Sequence, residues 1–388
     1  MKELKTILAA FQKVDFAQRK AALATVVNVR GSSYRSPGAR MLITDDGKWV
    51  GSISGGCLEG DALRKARQVM TSNKPLTITY DTREESNQNL GIGLGCNGVI
   101  DVLIEPVQPE SETILLIEKI VSANKPVALA TRTTGNHAGE KFLLDDDGTV
   151  LAKFSNDSLN TLTHNELISV FSYHRSETKV IEDETIFMEL IQPVVTLIIF
   201  GGGFDARPVS ALAKTLGWDV QVTDECVSHI APVFFPTADK LSLCHREFID
   251  RDFVITPFTA CVLMSHNYEY DRDVLKKLIT SETPYIGILG PRKRFDKMVR
   301  ELSAQGIRLS PEDTHRIHSP IGLDIGAETP DEIALSILAE IQSRFANRSG
   351  GFLKYRSGPI HERKGEQVFK QVYLGSVSMK QSVQLRPA

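Results

Sequence analysis

The chain of 388 residues has little of what marks several common classes of protein. Cysteine is scarce: there are five, an odd number, widely spaced and with no C-x-x-C pair. That excludes a disulfide scaffold and the usual zinc or dithiol-redox signatures, and it points to a reducing compartment. No apolar run nears the length that spans a bilayer, and the run over residues 7–11 is too short for the core of a secretory signal. Charge of one sign is also missing. A formal net charge of -3 gives no electrostatic reason to expect nucleic acid or an anionic membrane as a partner. These absences leave a cytoplasmic protein, long enough for two or three domains with proper cores.

What is present is glycine, concentrated around two of the cysteines. Gly55, Gly56 and Cys57 follow a strand-like run over residues 49–54 and precede a helix-like stretch that contains Glu59 and Asp61. Paired glycines admit backbone angles that other residues avoid and let a ligand approach the main chain. Unpaired amides in such a turn and at a helix start suit an anion, and the same field favours a thiolate at Cys57. Cys96 stands in a second such stretch, with Gly95 beside it and four glycines over residues 91–98. Two cysteines set in glycine turns read as working thiols, because buried core positions rarely need backbone freedom. Between these two stretches and the N-terminus lies a loop of small residues with Arg35 and Arg40, which suit a phosphate or pair with Glu59 or Asp61 across the loop.

Taken in order, Leu4, Ile7, Leu8 and Phe11 predict an amphipathic helix. Strands are expected over 22–29, 41–44, 49–54, 76–80 and 99–105, with a helix over 61–70. A helix over 111–123, a strand over 127–132 and a hairpin through Asp145, Asp146, Asp147 and Gly148 follow. The acidic triplet lacks the spacing of a calcium loop and reads as a solvated turn. Signals weaken from 155 to 192, and a boundary falls near Pro193.

Beyond it the pattern changes. Residues 194–200 are a continuous apolar, β-branched run, as in a parallel strand covered on both faces. Gly201, Gly202, Gly203 and Ala206 then open a helix that stops at Gly217, and a second strand ends at Asp224. This is the spacing of a dinucleotide turn, in which an acidic residue about twenty positions on meets a ribose and favours NAD over its phosphorylated form. Alternation continues with His266 beyond one strand end and Gly290, Pro291 and Arg292 beyond another, all on one expected rim with Asp324 in a further loop of small residues. Thr329, Pro330 and Glu332 mark the start of the clearest helix. After residue 345 the tail is polar and basic. The expected fold is α/β: a mixed N-terminal domain over 1–192, a Rossmann-like parallel-sheet domain over 193–345, and a basic tail over 346–388.

Several stretches together resemble the XdhC/CoxI family. They include Gly31 to Arg35, Pro37 to Met41, Ser54 to Glu59, and Gly93 to Gly98 with Cys96. In the second half they include Phe200 to Gly203, Ser265 to Tyr268, Gly290 to Arg294, Pro320 to Ala327 and Gly358 to His361. The resemblance implies a maturation factor for xanthine dehydrogenase and related molybdenum hydroxylases. Such a factor binds the molybdenum cofactor, protects it while a cysteine desulfurase supports its sulfuration, and passes it to the apoenzyme. It places the family's cysteines on Cys57 and Cys96, as sulfur carriers or molybdenum contacts. One departure is Phe204, where relatives often carry histidine. The competing expectation is an NAD(P)-dependent oxidoreductase using Gly201, Gly203 and Asp224. No Ser/His/Asp or Lys/Tyr set stands beside that turn, which favours the accessory role. A homodimer is expected from the frequency of two-fold assemblies.

Overall fold

Leu4, Ile7 and Phe11 form the buried stripe of the opening helix, α1 (Lys2–Phe11). In the computed structural model, which describes residues 1–83 and 98–356, this helix leads into a first antiparallel sheet. Its strands are β1 (Ala21–Gly31), β2 (Arg40–Thr44), β3 (Trp49–Gly51), β4 (Leu76–Asp81) and β5 (Gly98–Val107), ordered β3-β2-β1-β5-β4. Helix α2 (Glu59–Ser72) covers one face, packing Ala62, Ala66 and Val69 with Val26, Met41 and Val102.

Helix α3 (Glu112–Ser122) opens a second set: β6 (Val127–Arg132), β7 (Lys141–Asp145), β8 (Val150–Ala152), α4 (Asp157–Tyr173), β9 (Glu177–Ile181) and β10 (Glu184–Ile191). The order is β8-β7-β6-β10-β9, which is the first sheet again, strand for strand, with every neighbouring pair antiparallel. Register agrees too: Thr25 faces Arg40 as Thr131 faces Lys141, and Leu23 faces Glu105 as Leu129 faces Glu189. The chain therefore contains a tandem repeat. Its trace in the sequence is Gly38-Ala39-Arg40-Met41-Leu42 with Asp45-Asp46-Gly47, set against Gly139-Glu140-Lys141-Phe142-Leu143 with Asp146-Asp147-Gly148.

The two repeats pack face to face around Leu23, Leu42, Leu129 and Leu143, which share one core with α1 and α3. Two buried ion pairs cross this interface in reciprocal fashion. Arg40 reaches Glu189 with both terminal nitrogens, Nη1 lying 3.0 Å from Oε1, and Lys141 Nζ lies 2.6 Å from Glu105 Oε1. Each cation starts the second strand of its own repeat, and each acid lies in the fifth strand of the other. Gly38 and Gly139 stand where those acids come close: a Cβ there would meet Glu189 Oε1 at 2.4 Å or Glu105 Oε1 at 3.0 Å.

The second half is a six-stranded parallel sheet, β13-β12-β11-β14-β15-β16. Its elements are β11 (Thr196–Phe200), α5 (Ala206–Leu216), β12 (Asp219–Asp224), β13 (Lys240–Leu243), α6 (Ile249–Asp252), β14 (Thr259–Leu263), α7 (Tyr268–Leu278), β15 (Tyr285–Ile288), α8 (Arg292–Ala304), α9 (Pro311–Arg316), β16 (Ile317–His318) and α10 (Pro330–Phe345). This is the doubly wound order, with its switch point between β11 and β14. The expected capping box at Thr329 and Glu332 is present. Lys5 Nζ lies 3.1 Å from Asp219 Oδ1, tying α1 to the amino end of β12.

Two local expectations change. The strand expected over 49–54 ends at Gly51, after which the serines at 52 and 54 turn inward to a carboxylate described below. The weak region 155–192 holds a long helix and a hairpin. Residues 1–350 form one compact unit and 351 onward another, of which the 3₁₀ turn Leu353–Tyr355 is described. Among the described residues no helix is long and apolar enough to cross a membrane.

Candidate functional site

Cys57 lies at the head of α2, on a ledge that a buried carboxylate holds from beneath. Glu59 accepts hydrogen bonds from Ser52 Oγ at 2.8 Å, the Ser54 amide at 2.9 Å and the Leu58 amide at 3.2 Å, and also bonds Ser54 Oγ. Ser54 Oγ in turn accepts from the amides of Gly56 and Leu58. Burial alone would raise the Glu59 pKa, but the bonds from Ser54 and Ser52 outweigh it and hold the carboxyl below its usual range. Glu59 was expected to face a ligand; it organises the turn instead, and the amides of Gly56 and Leu58 are engaged within the turn. Gly56 has φ +109, a conformation side chains rarely adopt, and nothing lies within 4 Å of where its Cβ would be. Cys57 itself is half-buried and packs by one side on the α2 core.

The β1–β2 connection and the turn from β3 to α2 meet at this end of the sheet, beside the ends of β4 and β5. The β1–β2 connection brings Tyr34 to Gly55, whose Cβ position lies 3.4 Å from the ring. It also brings Ser32 so close to Gly98 that a Cβ there would meet the serine carbonyl at 2.3 Å. Thr82 bonds both backbone groups of Gly98, so the β4 and β5 ends are clamped beside it. Residues 84–97 join those ends, whereas the second repeat joins β9 to β10 through Glu182 and Asp183 alone. Cys96 and Gly95 lie outside the described residues, as does the stretch over 358–361; Gly98 follows Cys96 by two positions in the chain.

Arg35 and Arg40 are not turned to the ledge. Arg35 Nη2 lies 2.5 Å from Glu3 Oε2, and Arg40 is buried against Glu189, so the partners are these acids and not Glu59 or Asp61. Asp61 instead accepts from Tyr80 and pairs with Arg64.

The remaining expected residues gather on the carboxyl rim of the parallel sheet. Asp224 accepts from the Gly202 amide at 2.9 Å and the Cys226 amide at 2.8 Å, and its Oδ2 lies 3.0 Å from His229 Nδ1. At Gly202 the His229 carbonyl sits 2.5 Å from the Cβ position. Gly201 is pressed in the same way by Ser265 at 2.4 Å. Gly201 and Gly202 are thus packed against their own neighbours on the side a Cβ would occupy, and the Asp224 carboxylate is engaged within the turn. His266, with φ +60, stands over Gly203 with its Nε2 3.4 Å from Asp205 Oδ2. Ser265 Oγ bonds the buried Asp271, which also holds Arg294. Arg292 is exposed and bonds the Ser319 carbonyl at 3.3 Å, and Asp324 is exposed. Among the described residues no hydrogen bond or ion pair links this rim to the Cys57 ledge.

Asp145, Asp146 and Asp147 come together in the β7–β8 turn, where Asp145 accepts from the amides of Asp147 and Thr149 and Lys125 pairs with Asp147. That is the turn chemistry expected of them. The residues missed in the sequence were Ser52, Ser54 and Tyr34, polar or aromatic neighbours of the glycine stretch whose role depends on which way they point.

A thiol on a glycine ledge in an antiparallel repeat, followed by a doubly wound domain, defines the class. Residues 17–81 match the XdhC and CoxI family, and residues 197–341 match the XdhC Rossmann domain. The chain belongs to the XdhC/CoxI family. It is 30% identical over 325 residues to a probable xanthine dehydrogenase subunit of Bacillus subtilis (strain 168), covering 84% of this chain and 93% of that one. It is 25% identical over 339 residues to the molybdenum cofactor insertion chaperone PaoD of Escherichia coli (strain K12), covering 87% and 88%. A crystal structure described as a xanthine dehydrogenase from Bacillus halodurans is similar at 30% identity and a TM-score of 0.74, over 90% of this chain and 97% of that one.

Proposed function

We propose that this chain is a maturation factor for a molybdenum hydroxylase of the xanthine dehydrogenase type. It holds the molybdenum cofactor as cargo at the Cys57 ledge, protects it while a sulfido ligand is installed with sulfur from a cysteine desulfurase, and passes it to the apoenzyme. The observation that carries this is the half-buried Cys57 beside the open space at Gly56, at the end of the first repeat where the β1–β2 connection meets the turn into α2. A soft thiolate suits molybdenum or a transferable sulfur, and the open space at Gly56 lets a bulky cargo approach. The insertion-chaperone role of PaoD supports the same role here. The oxidoreductase reading has less support, because the carboxylate it needs at Asp224 is already engaged by the Gly202 and Cys226 amides and His229.

The test is the pterin content of the full chain, purified from cells that make the cofactor and assayed by the fluorescence of the released, oxidised pterin. Wild type should carry pterin and Cys57→Ala should lose most of it. Equal content in the two would sink the proposal.

A further inference from the structure

Tyr34 is 70% exposed, although one face of its ring lies on Gly55. It is not a loose side chain on a loose loop. Ser33 Oγ donates to the Arg35 carbonyl at 2.7 Å, Arg35 is held by Glu3, and the Gly38 amide donates to Val26 at 2.8 Å. The connection is thus anchored on both sides of the tyrosine. The corresponding connection of the second repeat, residues 133–140, has no aromatic residue other than His137. The phenol ring therefore belongs to the repeat that carries the thiol, and it stands next to the open space at Gly56.

We infer that Tyr34 is a stacking platform for the flat, heteroaromatic pterin of the cargo, an inference that rests on the function proposed above. The ring lies in van der Waals contact with the ledge, its Cγ 3.4 Å from the Cβ position of Gly55. The opposite face is then open to a second ring. A phenol ring has few torsions to fix and stacks on any flat ring system. Thiol and ring would address different ends of one molecule, metal and pterin, so that a bare oxyanion or a metal-free ring meets only half of the site.

Two measurements test this on the full chain, with unfolding midpoints confirming that each variant folds. The first is the pterin content described above, for Tyr34→Ala and Tyr34→Phe beside Cys57→Ala. The second is a titration with unsubstituted pterin, which has no metal. Tyr34→Phe should match wild type in both. Tyr34→Ala should lower the affinity for free pterin roughly tenfold, the size expected of one stacked ring, while Cys57→Ala should leave that affinity unchanged. The inference fails if Tyr34→Ala binds free pterin as wild type does, if wild type binds none, or if Tyr34→Phe is as weak as the alanine variant. Adenosine monophosphate competing as well as pterin would overturn the assignment to pterin. A full pterin content in Cys57→Ala with a loss in Tyr34→Ala would sink the thiol reading and leave the platform standing.

Discussion

The cysteines of the described residues differ in everything around the sulfur. Cys244 and Cys261 are buried, and burial pushes both thiols up to about 12. At pH 8 only roughly one in ten thousand of such thiols is ionised. Cys57 is half-buried and Cys226 exposed. Alkylation of the native chain with iodoacetamide at pH 8, read by peptide mass spectrometry, should therefore modify Cys57 and Cys226 first and reach Cys244 and Cys261 only after unfolding. Labelling of Cys261 at the rate of Cys57 would contradict this. The sequence marked Cys57 through its glycines, but it could not mark the direction of Glu59. An acid in the first turn of a helix suits the dipole whether it faces solvent or protein. Here the hydroxyls of Ser52 and Ser54 decide, and they act only once Gly51 has ended β3.

At the scale of elements, the centre of the parallel sheet was legible because β11 is an uninterrupted β-branched run and α10 carries the cap of Thr329 with Glu332, whereas β13, Lys-Leu-Ser-Leu, and the two-residue β16 carry no such signal. The hairpin of β9 and β10 was hidden. Its two-residue turn needs positive φ at both positions and would usually announce itself as Asn-Gly, yet it is made by Glu182 and Asp183 at φ 48 and 65. Helix α4 was hidden by Ser, Thr and Asn on a surface that leaves Leu162 and Ile168 exposed. The glycine turn after β11 was found for a partly different reason from the one that shapes it, since Gly202 makes room for the His229 carbonyl. Gly202→Ala should accordingly destabilise the fold by about 1–3 kcal/mol, the range for overpacking, because the obstacle is backbone and cannot swing aside. Urea unfolding checks this. An unchanged midpoint would mean that the turn relaxes freely and that the room was kept for something else.

For the whole molecule, the repeat explains how one half of the chain can be scaffold and site together. The second copy keeps the strand order and closes β9 to β10 in two residues, while the first carries Tyr34 and Cys57 on the connections that follow β1 and β3. What joins the copies is an interface with approximate two-fold character, and its two buried ion pairs are each other's counterparts. For Arg40, burial disfavours the charge, yet Glu189 outweighs it and raises the pKa. Such a pair adds little against a well-packed apolar substitute, but removing one partner leaves a buried charge unmatched, at about 3–5 kcal/mol. Arg40→Met and Lys141→Met should each cost that much in chemical denaturation, and by similar amounts, since each leaves one acid stranded in the fifth strand of the other repeat. Arg40→Met combined with Glu189→Leu should recover most of the loss. A cost below about 1 kcal/mol for either single change would show that water reaches the stranded acid. The reciprocal placement also fixes how the sheets meet. Sliding one repeat along the other would part Arg40 from Glu189 and Lys141 from Glu105 together, leaving four buried charges unmatched at once.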